Sequence, residues 1–170
     1  MRGLGVNAFV FPAGDPEVRR TLAIHRLTRA EAPRRWSVDV NRKRVSEGDL
    51  AFVWQTGDHS EMWRPGLWAA GFIYRFDGVE RPHWRDPGLS TQYADLEMQW
   101  VPIVDREDVR ADALRGGAMQ RSVLAAKTQQ MRSPVKLRDE ERDWLWAHIP
   151  RSTQLWIEEE RNQPSLALGY

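Results

Sequence analysis

Between Trp36 and Val104 the chain is a succession of short β-branched and aromatic runs broken by glycine- and proline-bearing turns, which confines it to folds built round a sheet. Trp36 to Val40 alternates apolar and polar residues, as a half-buried strand does. Ser46-Glu47-Gly48-Asp49 is a turn, and Leu50-Ala51-Phe52-Val53-Trp54 is the apolar strand leaving it. Gly66 to Phe76 is a long strand whose interior Gly71 marks a bulge or a tight corner. Leu96 to Val104 alternates again, with Pro102 favouring an edge or bulge. An earlier run, Val6 to Phe11, is stopped by Pro12-Ala13-Gly14.

Helix signals flank this strand-rich middle. Asp15-Pro16-Glu17 supplies a cap, a proline at the first helical position and an early acid, predicting a helix through Leu22 or Leu27. Asp108 to Leu114 and Ala118 to Ala126 are short helical stretches divided by Gly116-Gly117. Arg138-Asp139-Glu140-Glu141 opens a further helix, with Leu145 and Ile149 on one face and Pro150 as its stop. Leu155-Trp156-Ile157 reads as one more short strand, and Asp77 to Ser90 as an exposed excursion. The class is therefore α+β with a curled sheet, a domain over residues 1–150 and an extension over 151–170.

Composition narrows the function classes. A hydrophobic share of 41% in 170 residues is enough for one core and argues against wholesale disorder. No apolar run is long enough to span a bilayer, and Met1 to Gly5 does not read as the start of a signal peptide. The absence of cysteine rules out disulfides and thiolate–metal sites and suits a reducing cytoplasm. Net charge is only +1, so contact with a polyanion must come from a local patch. The four histidines lack ligand spacing, and neither a nucleophile elbow nor a phosphate-binding loop is present. No cofactor or metal is expected. Nine tryptophans serve either as core or as flat recognition surfaces.

The ordered set from Trp36-Ser37-Val38, through Asn41 to Val45 and Glu47-Gly48-Asp49-Leu50 to Gly57, to Gly66-Leu67-Trp68-Ala69-Ala70-Gly71 resembles the EVE family. That pattern is a Trp-led strand, a Gly-Asp turn into an apolar strand, a variable loop, then a strand of the form Gly-apolar-x-Ala-x-Gly. The resemblance implies a PUA-like twisted mixed barrel flanked by short helices, kin to YTH and ASCH domains. It also implies a non-catalytic module that binds DNA or RNA and reads a modified, for example methylated, base flipped into an aromatic pocket. A separately encoded nuclease or modification-system partner fits such a role.

On that reading Trp36 and Ser37 form one pocket wall, Trp54 stacks and Thr56 bonds a base edge at the exit of the next strand, and Trp63 covers the base from the following loop. The plain alternative is that Trp36 and Trp54 are core. Arg34 and Arg35 before the Trp36 strand, and Arg42, Lys43 and Arg44 after it, are the phosphate-contact candidates. The plain alternative there is a solvated basic turn. Trp84, beside His83 and Arg85, reads as a surface anchor. Two other functions stay open: an ASCH-like nucleic-acid hydrolase using Lys43 with Glu47, and a protein-interaction module with surface tryptophans and no nucleic-acid ligand.

Overall fold

The structure is a computed structural model that describes residues 5–56, 64–125 and 132–163. Among them the elements run β1 (Ala8–Ala13), α1 (Pro16–Leu27), β2 (Arg35–Val38), β3 (Leu50–Gln55), β4 (Gly66–Phe76), β5 (Arg81–Pro82), β6 (Ser90–Asp105), α2 (Arg106–Leu114), β7 (Val135–Lys136), α3 (Asp139–His148) and α4 (Arg151–Asn162). The sheet order is β2-β6-β4-β3-β1-β7, with β5 pairing the start of β6. β1 and β3 run parallel; every other pairing is antiparallel. This is the α+β class with a curled mixed sheet that the strand-rich middle predicts.

The outer strands of the sheet meet. The N–H groups of Asp39 and Val40, just past β2, donate to the carbonyl of Ser133, just before β7, at 2.8 and 3.2 Å. The Ser133 hydroxyl returns a bond to the carbonyl of Ser37 at 2.8 Å, and the Asn41 amide bonds the carbonyl of Pro134 at 2.9 Å. The sheet is thereby rolled almost into a barrel.

Both faces of the sheet are buried at β1, β3 and most of β4, which is why β3 is apolar at almost every position. Inside the roll lie Phe9, Phe11, Val53, Trp68, Ile73 and Leu96, plugged by Leu22 and Ala23 of α1. Outside, Val10, Phe52, Trp54 and Phe72 pack against Val109 of α2, Leu145 and Trp146 of α3, and Ile157 of α4. Each fully buried side chain of this size contributes about 1.5–3 kcal/mol.

The cap expected for α1 is formed: Asp15 Oδ1 accepts from the backbone N–H groups of Glu17 and Val18 at 2.9 and 3.3 Å. Pro102 lies in a bulge, because Leu67 pairs with Val104 whereas Ala69 pairs with Trp100. There the Arg26 guanidinium, half-buried, donates to the carbonyls of Trp68 at 2.9 Å and Val101 at 2.7 Å. It also lies 5.3 and 5.6 Å from the rings of Trp68 and Trp100. Burial pulls this guanidinium below its ordinary pKa. Gly71 sits at no bulge; β4 passes so close to β6 there that a Cβ would overlap the carbonyl of Glu97.

Three local expectations are corrected. Leu155-Trp156-Ile157 is helical, within α4, and Ile157 is wholly buried in the outer core instead of extending a strand. Within the 118–126 stretch the described helix is a single tight turn, Val123–Ala125. The excursion from Asp77 to Ser90 contains the short strand β5.

Candidate functional site

Separate parts of the chain converge on a cavity of about 720 Å³. β2 contributes Arg35, Trp36 and Ser37. The end of β1 and the start of α1 contribute Pro12, Asp15, Glu17 and Val18. The β5 region contributes Arg81, Pro82 and Trp84, with Tyr93 of β6 beside them. That volume falls within the roughly 300–1,000 Å³ of small-molecule sites.

Trp36 is at once a core residue and part of the cavity border. It is only 8% exposed and packs into the inner core, edge-on to Phe11 at 6.3 Å between ring centroids. Its indole N–H donates to the carbonyl of Pro33 at 2.8 Å, which fixes the ring plane while the side chain borders the cavity. Ser37 borders it too, its hydroxyl donating to the Asp39 carboxylate at 3.2 Å.

Trp54 and Thr56 lie elsewhere. Trp54 is fully buried in the outer core, on the face of β3 away from Trp36, so its ring cannot stack on a ligand beside Trp36. The bulge between Val53 and Trp54 leaves the alternation of faces intact. Thr56 closes the end of β3 onto β1, its N–H and hydroxyl both donating to the carbonyl of Ala13 at 3.3 Å, and it does not line the cavity. Trp63 lies outside the described residues.

The cations divide as well. Arg35 lines the cavity, 63% exposed, paired with Asp95 at 3.5 Å and 5.8 Å from the Tyr93 ring centroid. Arg34 points instead to Glu31 and Glu97, at 3.3 and 3.2 Å. Arg42 is held by the carbonyl of Val38 at 3.0 Å and by Glu80 at 2.8 Å. Lys43 and Arg44 are exposed and, with Arg42, border a separate open depression. The Lys43–Glu47 pair weighed for hydrolysis is not assembled: Glu47 accepts from the Phe76 N–H at 3.2 Å and lines neither hollow.

Several cavity residues carry no signal of their own in the sequence. Arg81 is gripped by both oxygens of Asp77, at 3.1 and 2.8 Å. That bond holds the Asp77 carboxyl far below the usual range and raises the Arg81 guanidinium. The Tyr93 hydroxyl donates to the carbonyl of Pro82 at 3.0 Å and accepts from the Trp84 N–H at 2.8 Å, pinning the loop after β5. Trp84, read as a surface anchor, stands 47% exposed at the cavity, flanked by the His83 ring at 5.9 Å and the Arg85 guanidinium at 5.2 Å. Arg85 crosses to the Asp15 carboxylate, tying this loop to the start of α1. The β-prone run Thr91-Gln92-Tyr93 was the available signal for Tyr93, since the strand starts at Ser90.

No family model and no curated protein matches the chain. Among solved structures, human THYN1 protein, in complex with 5-methylcytosine-containing DNA, is similar at 16% identity and a TM-score of 0.45, over 82% of this chain and 95% of that one. A hypothetical protein from Leishmania major is similar at 10% identity and a TM-score of 0.46, over 92% of this chain and 97% of that one. Identity this low leaves every residue assignment to the geometry of this chain.

The lining is chemically mixed. Asp15 and Glu17 face the same space as Arg35 and Arg81. The lining thus sets as many carboxylates as guanidiniums around one space and offers both hydrogen-bond acceptors and donors.

Proposed function

We propose that the chain is a non-catalytic nucleic-acid-binding module that takes one nucleobase, methylated or similarly modified, into the cavity beside Trp36. The observation that carries this reading is the meeting of Trp36, Trp84 and Tyr93 with Arg35 and Arg81 around one cavity. Flat aromatic walls replace the stacking a flipped base gives up, and a methyl group adds apolar contact. The cations at the rim and the exposed Lys43 and Arg44 hold the flanking phosphates. The EVE-like pattern of the Trp36 to Gly71 region agrees with this role.

Trp84 is the residue on which to test it, because it is half exposed and belongs to neither core. Trp84→Ala is predicted to fold normally. It weakens binding of an oligonucleotide carrying one methylated base by about 1–3 kcal/mol, roughly 5- to 150-fold, and erases preference over the unmethylated strand. Titration by fluorescence anisotropy at fixed salt reads both quantities. A wild-type chain that binds neither strand, or a variant that still prefers the methylated one, would sink the reading.

A further inference from the structure

We infer that the main chain of β2 holds the base, through the carbonyl of Arg35 and the N–H of Ser37, where the roll of the sheet stays open. This rests on the nucleic-acid reading above and names the groups that grip the ligand's edge. In an antiparallel ladder, successive residues turn their N–H and carbonyl alternately toward the partner strand and away from it. The Leu96 N–H donates to the carbonyl of Arg34 at 2.7 Å, and Trp36 and Val38 stand in the same phase opposite Ala94 and Gln92. Arg35, Ser37 and Asp39 therefore turn their main chain away from β6. The bonds at Ser133 agree: its hydroxyl donates to the Ser37 carbonyl, and its carbonyl accepts from the Asp39 N–H, both at 2.8 Å.

Closure of the roll stops there. Next along this edge come the N–H of Ser37 and the carbonyl and N–H of Arg35, which have no main-chain partner on that side among the described residues. Across the gap, the β1–β7 ladder pairs Phe9 with Lys136 and Val10 with Val135. It ends before Pro12, which has no N–H to continue it. Arg35, Ser37, Pro12 and Ser133 all line the cavity, so the cavity occupies this gap and the free edge of β2 forms one side of it. A ligand that fills the gap takes water from these groups and must replace its hydrogen bonds. A purely apolar ligand leaves both groups unmet, and a phosphate, which only accepts, leaves the Arg35 carbonyl unmet. A flat ring with a donor beside an acceptor meets the carbonyl and the N–H together. Every nucleobase has such an edge, so this pair holds a base without choosing among bases.

Ser37→Pro is the decisive variant. It removes the donor and leaves the ladder to β6 intact, since the Ser37 N–H takes no part in that ladder. Ser37→Ala, which loses the hydroxyl and keeps the N–H, sets the baseline. The probes are a single-stranded oligonucleotide with one methylated base and the same strand with an abasic residue in its place, titrated by anisotropy against the full chain. Ser37→Pro is expected to bind the base-bearing strand about tenfold more weakly than Ser37→Ala does. The two variants should bind the abasic strand equally and show the same salt dependence. If Ser37→Pro does not fold by circular dichroism, amide hydrogen exchange of the wild type, followed by NMR, reads the same bond. The Ser37 amide should exchange at least about tenfold more slowly with the base-bearing strand than with the abasic one, while the Trp36 amide, in the ladder, is protected with both. Equal affinities of the two folded variants for the base-bearing strand, or no slowing at Ser37, overturn the main-chain contact and leave the nucleic-acid reading standing. A wild-type chain that binds neither strand overturns both.

Discussion

Trp36 belongs to the inner core through Phe11 and to the cavity through the rest of its border, so removing it confounds two effects. Trp36→Ala is predicted to cost about 3–5 kcal/mol of stability, measured by urea unfolding, before any binding is read. A variant that unfolds at the wild-type midpoint would show that the ring is not core. The sequence alone leaves Trp36 between core and wall because a strand residue facing a rolled sheet can be both at the rim. A second residue-scale prediction concerns Asp49, in the turn before β3. Burial holds its carboxyl above the ordinary 3.8, against the opposing N–H groups of Ser46 and Asn7 and the charges of Arg161 and Lys136. A raised folded-state value means that the fold favours the protonated form. Stability from this group is therefore full below about 3.8 and is lost as pH rises through the raised value. Asp49→Asn, which keeps an acceptor for the Ser46 N–H, should gain on the wild type as pH climbs from about 3 to 7. A stability difference that stays flat over that range would contradict it.

At the level of elements, α1 is bound to the sheet by one side chain at the place where the ladder fails. The bulge around Pro102 is served by Arg26, whose donors take the carbonyls of Trp68 and Val101. Arg26→Met keeps the apolar stem but strands those two acceptors. The expected loss is about 1–3 kcal/mol for each carbonyl left without a partner. It should appear as a lower urea midpoint at constant slope, and a midpoint unmoved within error would mean that water replaces the guanidinium. The strands and α1 were legible because their signals are local: alternation, an Asp-Pro-Glu start, a turn at Gly48. α4 was not. Leu155-Trp156-Ile157 is a strand-like triplet, yet Thr153 and Ile157 are both buried at helical spacing and Trp156 lies 5.9 Å from Phe72. Tertiary packing against β4 overrides the propensity of three residues. The cavity was half legible for the same reason. β2 announced its own wall, but Asp15, Arg81 and Tyr93 come to it from separate stretches of chain that no short-range pattern connects.

For the whole molecule, a net charge of +1 means that affinity for a polyanion depends on where cations stand, not on how many there are. Arg34 and Arg42 already face carboxylates, whereas Lys43 and Arg44 form no ion pair among the described residues. Replacing Lys43 and Arg44 together by Ala should lower affinity for methylated and unmethylated oligonucleotides alike. The slope of log K against log salt should become shallower by about one for each phosphate that the protein no longer neutralises. An unchanged slope would place the backbone on another surface. The roll of the sheet has a consequence of its own. An open sheet leaves its outermost strands with unmet amides and carbonyls, an invitation to a strand from a neighbouring molecule. Here Ser133 takes up the groups that β2 would otherwise expose, at Ser37, Asp39 and Val40. The chain thus carries a built-in guard against edge-to-edge stacking into fibres, and one serine in a connecting segment is its keeper.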